Sequence, residues 1–145
     1  MAAERRATAM WEGSLFEGSG RVAMDSSGIG EFPVTWAART EQPAGMTSPE
    51  ELIAAAHAAC FSMAFSNILA QNDTPPERLE VSATSSFEKK EAGFRLTKMH
   101  LDVHGSVPGI DASTFEAKAN DAKVGCPVSN ALVNNVEITV TANLK

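Results

Sequence analysis

Ser48-Pro49-Glu50-Glu51-Leu52-Ile53-Ala54-Ala55-Ala56-His57-Ala58-Ala59-Cys60-Phe61-Ser62-Met63-Ala64-Phe65-Ser66-Asn67-Ile68-Leu69 is the stretch on which the fold turns. Its opening is a helix start: Ser48 as N-cap, Pro49 at the first helical position, and Glu51 completing an S-x-x-E capping box. From Leu52 to Leu69 only His57, Ser62, Ser66 and Asn67 interrupt an apolar run. A helix so apolar around its circumference must be covered on several sides. The reading predicts a central helix, packed in the middle of the domain or against a second subunit, and ending near Gln71-Asn72 before Pro75-Pro76.

On the N-terminal side, Thr8-Ala9-Met10-Trp11 and Gly20-Arg21-Val22-Ala23-Met24 flank Gly13 and Gly18 and read as an antiparallel hairpin. Phe32-Pro33-Val34-Thr35-Trp36 reads as a further strand, with Pro33 at its start or on an edge because proline cannot donate to a ladder. On the C-terminal side, Leu79, Val81 and Ala83 alternate with polar residues, and Arg95 to Val103 continues the alternation after a Glu91-Ala92-Gly93 turn. The apolar phase slips between Phe94-Leu96 and Met99-Leu101-Val103, which predicts a bulge or a change of covering. Asp111 caps a helix through Phe115, Ala117 and Ala119; Gly125-Cys126-Pro127 breaks it and starts a short helix, Val128 to Val133. Val136, Ile138 and Val140 alternate as a closing strand. Strands, a long helix, more strands, helices and a last strand describe an α+β fold rather than βαβ repeats.

A chain of 145 residues suits one domain, and 43% hydrophobic residues suffice for a core. Twelve basic against 18 acidic residues leave a net charge of −6, which argues against nucleic acid or anionic lipid as a partner. The basic pairs Arg5-Arg6 and Lys89-Lys90 read as solvated surface. No uninterrupted apolar run reaches the roughly 18 residues of a membrane span, and Met1 to Met10 does not read as a secretory signal, so the expected address is the cytoplasm. Two cysteines are too few for a disulfide scaffold or a structural zinc site, so Cys60 and Cys126 are either packing residues or redox chemistry.

Local physics reads these residues as follows. Cys60, midway along the helix, gains nothing from the helix dipole and needs a cation from elsewhere to ionise. Cys126, at an N-cap before Pro127, has the better local field and on that ground alone is the stronger thiolate. His57 precedes Cys60 by one turn, so it reads either as half of a Cys–His pair or as a hydrogen-bonded core residue. His100 and His104 lie on one face of a strand but lack a third ligand. Arg39, at the end of the Val34–Ala38 strand, is the candidate cation, or a surface arginine. Glu50 suits the first helical turn electrostatically. Glu50 and Cys60 are ten residues apart (60 − 50), a rise of ~15 Å along one helix. If both serve one site, the economical arrangement sets the long helices of two subunits antiparallel, with each Glu50 near the other subunit's Cys60.

Three blocks in order, Ser48 to Ala64, Val107-Pro108-Gly109-Ile110-Asp111-Ala112-Ser113-Thr114-Phe115, and Gly125-Cys126-Pro127-Val128-Ser129, resemble the OsmC/Ohr family of hydroperoxide reductases, in particular its osmotically inducible members. The resemblance runs from about Thr8 to Lys145. It implies a single OsmC-like domain over residues 1–145, with a curved antiparallel sheet on a long central helix, in an intertwined homodimer with active sites at the subunit interface. It implies a peroxidase of oxidative and osmotic stress defence, acting on organic hydroperoxides and hydrogen peroxide. In that scheme Cys60 is the peroxidatic thiolate and Cys126 the resolving thiol; Arg39 holds thiolate and peroxide, and Glu50 orients Arg39. No cofactor or metal is implied. The reductant is an external dithiol, a dihydrolipoyl protein by similarity to the Ohr branch. For Cys126 the local reading and the resemblance disagree, and the resemblance is followed because Arg39 supplies the missing cation. Two rivals are a redox sensor using the same thiols without turnover, and a non-catalytic dimeric module that binds a hydrophobic ligand.

Overall fold

A computed structural model describes residues 1–145, which form two units, Met1–Leu52 and Ile53–Lys145. In the first unit, β1 (Thr8–Glu12), β2 (Ser19–Ala23) and β3 (Glu31–Val34) form an antiparallel sheet in that order. The expected hairpin is present, with Trp11 opposite Gly20. Pro33 lies on the edge strand β3, where its missing N–H costs the ladder least. The chain then departs from the sequence expectation. Instead of continuing as a strand, Trp36–Thr40 winds into a short helix, α1. The Thr35 side chain accepts a hydrogen bond from the Ala38 N–H (3.1 Å) and so caps this turn, and the following Ala37-Ala38-Arg39 are strong helix formers.

The long helix α2 (Pro49–Gln71) begins where the sequence places it. Ser48 Oγ accepts from the Glu51 N–H (3.1 Å), but the reciprocal half of the capping box is absent: the Glu51 carboxylate accepts from Thr47 Oγ1 (2.6 Å) instead. Along α2 the buried positions are Glu50, Ala54, His57, Phe61, Phe65 and Leu69, a stripe at spacings of three and four. The opposite side, with Ala55, Ala56, Ala59 and Met63, is exposed in the single chain. By length and composition α2 is also apolar enough to cross a bilayer, a test that core helices pass too.

In the second unit, β4 (Arg78–Lys90) and β5 (Gly93–Ser106) pair antiparallel as a long hairpin. The predicted slip is a bulge: Ser86 faces Lys98 and Phe87 faces Leu96, so Thr97 is the extra residue. Thr97 Oγ1 donates to the Glu88 carboxylate across the bulge. α3 (Ala112–Gly125) is capped by Asp111, whose carboxylate accepts from the Thr114 N–H (2.9 Å) and hydroxyl (2.8 Å). Those bonds hold the Asp111 carboxyl below the usual carboxylate range. α4 (Pro127–Leu132) follows at once, and β6 (Glu137–Leu144) closes the sheet. Here the antiparallel expectation needs correction: β6 runs parallel to β5, with Lys98 opposite Glu137 and Gly105 opposite Leu144. The helices α3 and α4 carry the chain back along the sheet, which is the crossover that a parallel neighbour requires. The fold is α+β, with two three-stranded sheets instead of one continuous sheet.

Phe61, Phe65, Leu69, Leu101, Val103, Phe115, Ala119, Ala122 and Cys126 form the main core of this unit. The rings of Phe65 and Phe115 lie 5.0 Å apart, and Phe115 packs over Gly105. A Cβ on Gly105 would sit 2.5 Å from Cζ of Phe115, so only glycine admits the ring. Gly105→Ala is therefore expected to destabilise the fold by about 1–3 kcal/mol, read as a lower urea midpoint. An unchanged midpoint would show that Phe115 can swing aside.

Candidate active site

Cys60 lies beside the buried stripe of α2, one residue before Phe61, and is partly exposed; Cys126 is completely buried. Cys126 occupies the junction between two helices. Its N–H donates to Ala122 O (2.9 Å), ending α3, and its carbonyl accepts from the Asn130 N–H (3.0 Å), starting α4. It is the N-cap that the sequence predicts, yet its side chain makes no capping bond. The sulfur instead neighbours the Cys60 side chain, and both cysteines are free thiols. The Val128 N–H, in the first turn of α4, faces the Cys60 sulfur and favours its charged form.

Burial pushes the Cys60 thiol above its ordinary value; the Val128 N–H opposes this, and the neighbouring Cys126 adds to the rise. The net direction is up, so the second unit by itself favours thiol over thiolate. This agrees with the sequence argument that Cys60 needs a cation from elsewhere.

Within the first unit, Arg39 and Glu50 form a tight pair. Arg39 lies in the last turn of α1 rather than at a strand end, and Glu50 in the first turn of α2. Arg39 Nε donates to Glu50 Oε1 (3.0 Å) and Oε2 (3.1 Å), and Nη2 to Oε1 (2.7 Å). This edge-on pairing fixes the plane of the guanidinium. Trp36, one turn earlier on α1, lies beneath it with the ring centroid 5.7 Å from Cζ, and Phe16 meets Trp36 edge-on at 5.9 Å. Glu50 is only 8% exposed, and Arg39 is its ion-pair partner.

His57 is a core residue with one hydrogen bond. Its Nε2 lies 2.7 Å from Ser129 Oγ, both side chains are buried, and Nδ1 has no partner. Burial lowers its pKa below the ordinary imidazole value, so the ring is neutral. The Cys–His alternative is thereby replaced by a His–Ser bond. His100 and His104 are on the outer face of the sheet, His100 Nδ1 with Thr139 Oγ1 (2.7 Å) and His104 Nε2 with Asp102 Oδ2 (3.2 Å). The sequence reading missed Val128, Trp36 and Ser129. The one available signal was spacing: Ser129 follows Cys126 by three residues as His57 precedes Cys60 by three.

This fold and thiol pair define an OsmC-like protein, and the chain belongs to that family: the OsmC-like protein family model matches residues 42–141. The chain is 43% identical over 145 residues to peroxiredoxin OsmC of Escherichia coli (strain K12), covering 100% of this chain and 99% of that one. It is also 38% identical over 96 residues to the organic hydroperoxide resistance protein OhrA of Bacillus subtilis (strain 168), 65% of either chain. Among solved structures, the organic hydroperoxide resistance protein OhrB of Bacillus subtilis superposes with a TM-score of 0.73 at 26% identity, covering 97% of this chain and 98% of that one.

Proposed function

We propose that this chain is a thiol-dependent peroxidase that reduces organic hydroperoxides, and hydrogen peroxide, in oxidative and osmotic stress defence. The observation that carries the reading is the pair of neighbouring free thiols, Cys60 and Cys126, in a chain related end to end to a peroxiredoxin. Partial exposure makes Cys60 the thiol that peroxide meets first, and complete burial suits Cys126 to the second step.

The Cys60 thiolate attacks one oxygen of the hydroperoxide and the O–O bond breaks. The alkoxide takes a proton and leaves as alcohol, or water from hydrogen peroxide, and Cys60 becomes a sulfenic acid. The Cys126 sulfur then attacks the Cys60 sulfur, the sulfenic oxygen leaves with the thiol proton as water, and a Cys60–Cys126 disulfide forms. An external dithiol, a dihydrolipoyl protein in the cell, resets the pair by exchange. The cycle uses no metal or organic cofactor.

The cation is assigned to Arg39, held by Glu50. Arginine stays charged and its planar fork suits thiolate and peroxide oxygen together. Residues 1–145 act as one OsmC-like domain in a cytoplasmic homodimer, in which the partner subunit's Arg39 meets Cys60 across antiparallel α2 helices. The exposed small and apolar residues Ala55, Ala56, Ala59 and Met63 support that pairing, because a second helix would cover them.

The test is a titration of reduced protein with cumene hydroperoxide, followed by intact mass and a non-reducing peptide map. The expected result is loss of two hydrogens, with Cys60 joined to Cys126, at about one equivalent per chain, and continuous turnover when dithiol is supplied. A disulfide without turnover would indicate a sensor, and two free thiols after excess peroxide would point to a binding module. In Cys126→Ser, one turnover is expected and then progressive Cys60 sulfinic acid, visible by mass spectrometry. Sustained normal turnover of that variant would refute the resolving role.

A further inference from the structure

Two polar ties join α2 to α4, and they differ in what oxidation does to them. One is the electrostatic influence of the Val128 N–H on the Cys60 sulfur. It acts on the reacting atom, so it is altered as soon as that sulfur carries an oxygen. The other is His57 Nε2 to Ser129 Oγ, 2.7 Å, which involves no reacting atom. Its two ends lie one helical turn from the two sulfurs: His57 three residues before Cys60, Ser129 three residues after Cys126.

We propose that His57 and Ser129 are positioning residues that keep α4 docked on α2 while Cys60 is a sulfenic acid, so that Cys126 stays within reach for condensation. The inference rests on the dithiol cycle proposed above and assigns a new role within it. His57 is completely buried and Ser129 is 3% exposed, so water is excluded from the bond. Parting the helices would orphan a second buried polar atom on a ring that already has one, His57 Nδ1. A buried imidazole with a single partner is a poor device for stability alone, where an aliphatic side chain would serve better. Its value is directional, since it fixes the distance between two particular helix faces. With Nδ1 unpartnered, the favoured neutral tautomer carries its proton on Nε2 and donates it to Ser129, because the alternative would bury an unpaired N–H. Nε2 is then engaged as a donor to Ser129, and the unprotonated nitrogen, Nδ1, is hydrogen-bonded to neither thiol.

The consequence is a partition. The sulfenic acid either condenses with Cys126 in a unimolecular step or meets a second peroxide and becomes sulfinic acid. Losing the tie slows the first branch and leaves the second unchanged. The experiment measures, by rapid quench and mass spectrometry with cumene hydroperoxide, three quantities: the rate of first oxidation of Cys60, the rate of disulfide formation, and the sulfinic fraction per turnover. In Ser129→Ala and His57→Leu, first oxidation is expected within about twofold of the native rate. Disulfide formation is expected to slow by about tenfold or more, with the sulfinic fraction rising in proportion. His57→Gln, which keeps an N–H donor, should restore part of the condensation rate. The double variant should be no worse than either single one, because both remove the same bond. If His57→Leu fails to fold, Ser129→Ala, which loses only a hydroxyl, decides the matter. Unchanged condensation and sulfinic fraction in folded Ser129→Ala would overturn the positioning role. A native protein that forms no Cys60–Cys126 disulfide would instead overturn the dithiol reading beneath it.

Discussion

Cys60→Ser is expected to abolish hydroperoxide consumption, to below roughly one part in 10³ of the native rate, at any dithiol concentration. Serine keeps the shape of the side chain and faces the same Val128 N–H, so the fold is preserved. What it loses is the chemistry: a hydroxyl does not ionise near neutral pH and forms no sulfenic acid. The result discriminates because the N-cap position of Cys126 nominates that residue on local electrostatic grounds. Cys126 is completely buried at the α3–α4 junction, whereas Cys60 is partly exposed. Stoichiometric oxidation of Cys126 with turnover in Cys60→Ser would reverse the assignment. The measurement is steady-state peroxide consumption with a small dithiol, paired with near-ultraviolet circular dichroism to confirm the fold.

Arg39→Ala is expected to lower activity at neutral pH on the order of 10²- to 10³-fold, the range that a neighbouring guanidinium commonly exerts on an acidic group. The Cys60 thiol is already pushed up by burial and by Cys126, with the Val128 N–H as the opposing influence. Without a cation the thiolate fraction is small. The sign of the pH dependence follows: in Arg39→Ala, activity should rise about tenfold per pH unit until the raised thiol pKa is reached, while the native enzyme is flat at neutral pH. Iodoacetamide alkylation of Cys60 against pH measures the same shift without peroxide. An unchanged titration would remove Arg39 from the mechanism. Arg39→Lys keeps the charge but not the two-point contact with Glu50, so it should recover only part of the loss. Because Arg39→Ala also strands a buried carboxylate, Arg39→Ala/Glu50→Gln controls for folding.

Mixing subunits extends this test to the proposed dimer. Arg39→Ala and Cys60→Ser chains, each inactive alone, should regain activity when co-assembled if the cation comes from the partner. Random pairing makes about half of the dimers mixed, each with one intact site of two, so about a quarter of native activity is expected. No recovery would mean that Arg39 serves its own chain.

Much of this molecule is legible in local stretches of sequence. Ser48-Pro49 starts α2, Asp111 caps α3, Cys126-Pro127 starts α4, and the slip in apolar phase marks the bulge at Thr97. Each depends on residues within about one helical turn or on one strand pair, where the sequence itself states the geometry. Other features were misread or invisible. Trp36–Thr40 folds as a helix because Thr35 caps it, although the apolar run before it reads as a strand. Alternation in Val136-Ile138-Val140 says which side of β6 is buried but not which strand it joins or in which direction, so the parallel pairing with β5 could not be read.

The sequence alone determined the central helix, the α+β class, the two thiols and the resemblance that links them to peroxide chemistry. Tertiary structure alone decided the partners of the buried polar groups. The Val128 N–H reaches Cys60 from another helix, Arg39 closes on Glu50 across 11 residues, and His57 bonds Ser129 across 72. The reason is physical: a cap or an alternation is set by neighbours along the chain, whereas a buried polar atom takes whichever partner the packed core brings within 3 Å or so.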